Sequence, residues 1–297
     1  MMQLNSNVLN WGKNSLRTSC WIVGLLLIGS GTLLAVAQDV PQDQRSESSK
    51  DWVLVWQDDF DGARLDYSKW EVEVNAFGGG NNELQIYTDR PDNVRVADGR
   101  LILEARKDNA SVQGTVREYS SGRIRSKNRG DWKFGRFEVR AKFPEGQGLW
   151  PAIWLMPTAE VYGTWAASGE IDIVEYKGQE PNIVHGTLHY GETWPNNKYT
   201  GTKYQLPQGS FSSGFHDYAL EWEAGEIRWY VDGQLYQTQN KWKSGTAPFP
   251  APFDQEFHLI LNMAVGGGFV GAPNAKTPFP ARMEVDHVRV FQRAGSR

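Results

Sequence analysis

From Trp52 onward the chain consists of short runs of alternating apolar and polar residues, broken by glycine, asparagine, aspartate and proline. "GRFEVRAKF" (135–143) sets Phe137, Val139, Ala141 and Phe143 on one face and Glu138, Arg140 and Lys142 on the other. That period of two is the mark of a strand with one side against a core. "RLILEARK" (100–107) follows the turn signal "ADG", and "HDYALEWEAGEIRWYVDGQLYQ" (216–237) holds two further turns, Ala224-Gly225 and Asp232-Gly233, between three strands. "FHLILNMAVGGG" and "RMEVDHVRVF" add two more near the end. No long segment has helical periodicity, and no internal repeat is visible. The pattern predicts an all-β fold, two antiparallel sheets packed as a jelly-roll sandwich with a concave cleft.

One strand breaks the pattern. "SGEIDIVEYKG" (168–178) carries Glu170, Asp172 and Glu175 among Ile171, Ile173 and Val174. Regular alternation points Glu170 and Asp172 one way and Glu175 the other. Two readings are open: acids that face water on an amphipathic strand, or a β-bulge that absorbs Ile173 or Val174 and turns Glu175 onto the face of Glu170. A calcium loop fits poorly, because such loops alternate acids with flexible residues, and here stiff Ile and Val fill the gaps. With the bulge, mutual repulsion would spread the proton affinities, leaving one carboxyl protonated and another ionised near neutral pH. Cleavage of a glycosidic bond needs that pair, about 5–5.5 Å apart when configuration is retained and roughly 6.5–9.5 Å when it is inverted. Unbent, Glu170 and Glu175 would lie about 16 Å apart at roughly 3.3 Å per residue.

Ahead of the strands, Lys13 and Arg17 precede the apolar run Cys20 to Ala37, which ends Ala35-Val36-Ala37. This reads as a secretory signal over residues 1–37, cleaved after Ala37, with a retained membrane anchor as the rival. Residues 38–50 are a polar lead-in, and 51–297 form one catalytic domain. The net charge is −4 and basic clusters are lacking, which argues against nucleic acid as a partner. Cys20 is the only cysteine and leaves with the leader, so neither a disulfide nor a thiolate metal site remains. The mature protein is expected to be exported, free of the membrane and monomeric. Tryptophan is abundant, 13 in all. Some must pack the core and others are suited to stack on sugar rings; composition does not divide them.

An ordered series of segments adds to this reading: "WQDDFDG" (56–62), "NNELQIYT" (81–88), "SSGRIRSK" (120–127), "KFGRFEVRAKFPEGQGLWPAIWLMP" (133–157), "GEIDIVE", "HGTLHY" (185–190), "FHLILNMAVGG" and "VDHVRV". Over nearly all of 55–291 the chain resembles glycoside hydrolase family sixteen, and within it the bacterial laminarinase-like endo-β-1,3-glucanases. The resemblance implies a retaining hydrolase of β-glucan that needs no cofactor for catalysis. Glu170 would be the nucleophile, Glu175 the acid and then the base, and Asp172 the residue that tunes Glu170. Gly169 is expected to give room for close approach of substrate.

Trp150, Trp154 and Trp165 are candidate cleft residues, with "WAA" (165–167) standing where many relatives have Trp-Pro. His189 is read as a hydrogen-bond partner of the acids or of a sugar hydroxyl. Asn82, Glu83, Arg125 and Asn262 are further candidate sugar ligands, and Phe269 replaces a tryptophan of many relatives. A structural Ca²⁺ is implied on the opposite face, through Asp286 and backbone oxygens near Asp59 and Gly99. Other readings on the same fold are a mixed-linkage or galactan hydrolase, a transglycosylase, and a binding protein without activity; the three retained acids weigh against the last.

Overall fold

Alternating runs become strands because each has one apolar face to bury, and the computed structural model describes eighteen of them over residues 52–295. The leader and lead-in proposed for 1–37 and 38–50 lie outside the described residues. The strands are β1 (Trp52–Asp58), β2 (Glu71–Val72), β3 (Gln85–Tyr87), β4 (Val94–Ala97), β5 (Arg100–Val112), β6 (Thr115–Ser121), β7 (Arg123–Arg125), β8 (Asp131–Trp132) and β9 (Gly135–Lys142). They continue as β10 (Leu149–Pro157), β11 (Glu170–Tyr176), β12 (Ile183–Gly191), β13 (Asn197–Gln205), β14 (His216–Glu223), β15 (Glu226–Val231), β16 (Gln234–Gln239), β17 (Phe257–Val265) and β18 (Ala281–Arg293).

Two mostly antiparallel sheets result, as the alternation predicts. One runs β16-β15-β14-β9-β18-β5-β6-β3, with β1 beside β18 and β4 beside β5; the other runs β13-β12-β11-β10-β17-β7-β2, with β8 beside β17. The β3–β6 pair is parallel. Phe137, Val139 and Ala141 of β9 are buried as the alternation requires, facing a core that includes Ile153, Leu155, Ile171, Leu259 and Leu261 of the second sheet. The hairpin turns follow their chemistry: Asp98 and Gly99 (φ 54° and 68°) and Asp232 and Gly233 (φ 49° and 76°) are left-handed at both central positions. β5 outruns its predicted end at Lys107, because pairing with β6 carries exposed Lys107, Asp108 and Asn109 past the core, where no alternation marks them.

The second sheet has its inner face on this core and its outer face open. β17, in its middle, is buried along its whole length.

Candidate active site

The register around β11 decides where its acids point. Against β10, Glu175 pairs with Ala152, Val174 with Ile153 and Asp172 with Trp154, so Ile173 is the residue passed over. Against β12, Asp172 pairs with Thr187 and Glu175 with His185, so two residues of β11 face Gly186 alone. This is a β-bulge, and it brings Glu170, Asp172 and Glu175 onto the outer face together. The bulge is held from behind. Trp229 Nε1 on β15, across the core, donates to the Asp172 carbonyl at 2.8 Å. Gly186 makes room for that indole, since a Cβ there would meet Trp229 Cδ1 at 2.7 Å.

The three acids lie in a cleft of about 510 Å³. Trp150, Trp154 and Trp165, all expected, line it; Trp154 Nε1 donates to Asn262 Oδ1 at 2.7 Å and Trp165 Nε1 to Glu170 Oε2 at 2.8 Å. Trp194 also lines it and is 70 % exposed, in contrast to the buried Trp70, Trp222 and Trp229. The structure thus divides the tryptophans that composition could not. Asn262 and Glu83 border the cleft but are committed to protein partners. Asn262 donates to Tyr87 Oη at 3.1 Å as well as orienting Trp154, and Glu83 Oε2 accepts from Gln85 Nε2 at 2.6 Å. A side chain at Gly79 would collide with the Glu83 carboxylate, so Glu83 and the three-glycine turn 78–80 are packed as one unit.

Three expectations are corrected in their placement. Asn82 is left-handed (φ 59°) and exposed in the turn, and its neighbour Asn81 lines the cleft instead. Arg125 lines an adjoining groove, where it pairs with Glu71 at 3.0 Å and Glu73 at 3.4 Å, and not the cleft of the acids. Arg123, opposite Asn262 in the ladder, lines the cleft with its guanidinium 4.9 Å from the Trp154 ring centre. Gly169 (φ 87°) lines the adjoining groove and not the cleft itself, and close packing also requires a glycine there: a Cβ would meet Phe253 at 2.9 Å. Phe269, standing where many relatives have tryptophan, buttresses Trp150 at 5.0 Å with the Lys177 ammonium 4.3 Å over its ring. Phe77, Asn81, Arg123 and Trp194 were missed; "FGGGNN" and "TWPNN" were the available signals, aromatic residues beside turn residues.

His189, opposite Glu170 in the ladder, stands with Nε2 3.4 Å from Asp172 Oδ2 and 3.7 Å from Glu170 Oε1. Burial alone would lower its pKa, but Asp172, Glu170 and Glu175 overcome that and raise it to about 9, so it is an imidazolium at neutral pH. Burial, then the charge of Asp172, pushes Glu170 up to about 7, against His189 and the Trp165 N–H. Glu175 is driven well above the carboxylate range by burial, then by Asp172 and Glu170. The proton therefore stays on Glu175 when Glu170 has lost its own. Donor atoms of Glu170, Asp172 and His189 lie within 4.8 Å of one another, near enough to share a metal ion. The imidazolium already supplies the positive charge there, so the cluster reads as a proton site.

Residues 81–279 match the family model for glycosyl hydrolases family 16. The chain belongs to this family. It is 46 % identical over 257 residues, 80 % of the chain, to glucan endo-1,3-beta-glucosidase A1 of Niallia circulans, spanning 38 % of that protein. It is 42 % identical to a beta-glucanase of Rhodothermus marinus, covering 84 % of this chain and 88 % of the relative. Among solved structures, the catalytic domain of an endo-1,3-beta-glucanase (laminarinase) from Thermotoga petrophila superimposes with a TM-score of 0.74 at 37 % identity, covering 82 % of this chain and 99 % of that one. Hydrolases of this family need no cofactor for catalysis.

Proposed function

We propose that the protein is an endo-acting hydrolase of β-1,3-glucan that works by double displacement. The observation that carries the reading is the bulge at Ile173, which sets Glu170 and Glu175 on one face of a tryptophan-lined cleft. Glu170, ionised and held by the Trp165 N–H and the His189 imidazolium, attacks the anomeric carbon. Glu175 protonates the leaving oxygen. Once Glu170 is esterified its negative charge is gone, and with it one cause of Glu175's high proton affinity. The same carboxylate then takes a proton from water, and the ester is hydrolysed with retention. Endo action is supported by a second groove that shares Arg123, Met156 and Trp165 with the cleft and continues it beyond Glu170. The substrate class rests on the names of the relatives.

Incubation with laminarin, mixed-linkage glucan and agarose, with products sized over time, tests the reading. A ladder of laminarin oligosaccharides whose new ends are first β is expected. Cleavage of agarose alone would remove the substrate assignment, and first-formed α ends would remove the double displacement.

Export through a leader at 1–37 and a structural calcium ion belong to the same proposal. Asp58 lies opposite Val288 and Leu101 opposite Val285, so Asp59, Gly99 and Asp286 approach one edge. Asp59 Oδ1 is 2.9 Å from Arg289, leaving its carbonyl as the donor; Asp286, beside His287 at 2.9 Å, would supply the carboxylate. Calcium should raise the unfolding midpoint relative to chelator, and no difference would discard the site.

A further inference from the structure

A second cavity, of about 690 Å³, opens on the other side of the β12–β13 loop. Trp194 of this loop lines the catalytic cleft, whereas Glu192 and Asn196, two residues to either side, line the second cavity. It occupies the open edge of the sandwich, where β13 ends one sheet and β16 the other. The segment after β16 folds across this edge, and the Gly245 N–H donates to the Gly191 carbonyl at 2.8 Å.

Its charge is opposite to that of the chain. Lys198, Lys241 and Lys243 border the cavity, none of them ion-paired among the described residues, and Glu192 is the one acid there. Three unpaired ammonium groups collected in a chain of net charge −4 make a local positive potential suited to an anion. Edge lysines commonly keep strands from pairing with other chains. That accounts for Lys198 on β13, but Lys241 and Lys243 follow β16 on the covering segment. Beneath them Trp242 is buried, its N–H held by the Pro250 carbonyl at 2.9 Å, and it packs at 5.0 Å on Phe249. Phe249 is 51 % exposed, a flat apolar ring left open beside cations. An open ring with amide and ammonium donors at its margin suits a sugar that carries a negative charge.

We propose that this cavity is a non-catalytic binding site for an anionic sugar unit of a glycan, one bearing a carboxylate or a sulfate ester. The site is independent of the chemistry assigned to the cleft.

Calorimetric titration of the full chain tests it, in a Glu170→Gln background that prevents turnover. The probes are oligoglucuronate, a sulfated cello-oligosaccharide and a neutral cello-oligosaccharide of matched length. At least one anionic oligomer should bind about tenfold or more tightly than the neutral one, and weaken as salt is raised; the two anionic arms tell carboxylate from sulfate. Lys241→Ala with Lys243→Ala should lower that affinity by about tenfold or more, the Arg pair should restore it, and Phe249→Ala should weaken it less. In the otherwise wild-type chain the lysine pair should leave glucan hydrolysis and the unfolding midpoint unchanged, which reports that the fold is intact. Equal binding of the neutral oligomer, no binding of either anionic one, or undiminished binding by the lysine-to-alanine pair would each overturn the proposal.

Discussion

Glutamates wholly or partly shielded from water occur on both sheets, and they are treated in opposite ways. On the ten-stranded sheet, the side chain of Glu104 is wholly buried and receives Arg95 at 2.6 Å, Arg282 at 2.8 Å and also Arg106. Glu221 receives Arg136 at 2.7 Å, Arg228 at 2.9 Å and the Tyr230 hydroxyl at 2.9 Å. Burial pushes both pKa values up, yet these donors hold both below the usual carboxylate range. In the cleft the acids face one another; the His189 imidazolium and, to a lesser extent, Arg123 oppose them only in part, and burial prevails: Glu170 rises to about 7 and Glu175 higher still. The difference separates carboxylates that fasten strands from carboxylates kept ready to exchange protons.

The largest way to break this comparison is to neutralise the two classes in turn. Glu170→Gln should lower turnover of laminarin by about 10⁴-fold or more, measured as reducing ends released. It should leave the fold intact and, above pH 7, raise stability by about 1–3 kcal/mol, because a group whose folded pKa is raised stabilises below its unfolded pKa and loses that contribution as pH rises through about 7. Wild-type activity in the purified variant would remove Glu170 from its role. Glu175→Ala should cost about 10²–10⁴-fold on the polymer, with activity on an activated aryl glycoside recovered by azide as a β-glycosyl azide. An α-azide product, or no recovery, would contradict a retaining acid/base.

A smaller effect sharpens the electrostatics. The acid limb of kcat/KM should follow ionisation of Glu170 near pH 7, and the alkaline limb loss of the Glu175 proton well above it. Trp165→Phe removes the N–H held 2.8 Å from Glu170 and should move the acid limb upward while lowering kcat about tenfold. An unmoved limb would show that the indole does not stabilise the carboxylate.

The least effect on turnover belongs to the other sheet. Glu104→Gln should leave kcat within about twofold and cost about 1–3 kcal/mol at pH 7, seen by denaturant unfolding. Because Glu104's pKa is lowered, its contribution is present above pH 4.5 and fades as pH falls through the folded value; the variant should lose that acid-side slope. A change in kcat without loss of stability would merge the two classes.

How much of this was readable beforehand follows from the range of each interaction. Alternation marked β9 and the 216–237 meander, because burial of one face writes itself into successive residues. The need for a bulge was legible too, since three acids on one strand cannot otherwise share a face. Which residue it passes over was not. Ile173 is singled out by pairing with β10, and the bulge is fixed by Trp229 of the opposite sheet, 57 residues away in sequence. Arg123 and Arg125 stand two apart on β7 and share a face by alternation, and Asn81 and Asn82 both follow the glycines; only register and turn conformation choose between them.

By itself the sequence determined what is encoded at short range: strand faces, turns, the acids of β11 and the ordered motifs that mark the family. Tertiary structure decided which tryptophans face solvent, which acids meet arginine, and where Lys198, Lys241 and Lys243 border one cavity. The physical reason is that exposure and proton affinity depend on neighbours brought from distant strands, whereas alternation depends only on the next residue along the chain.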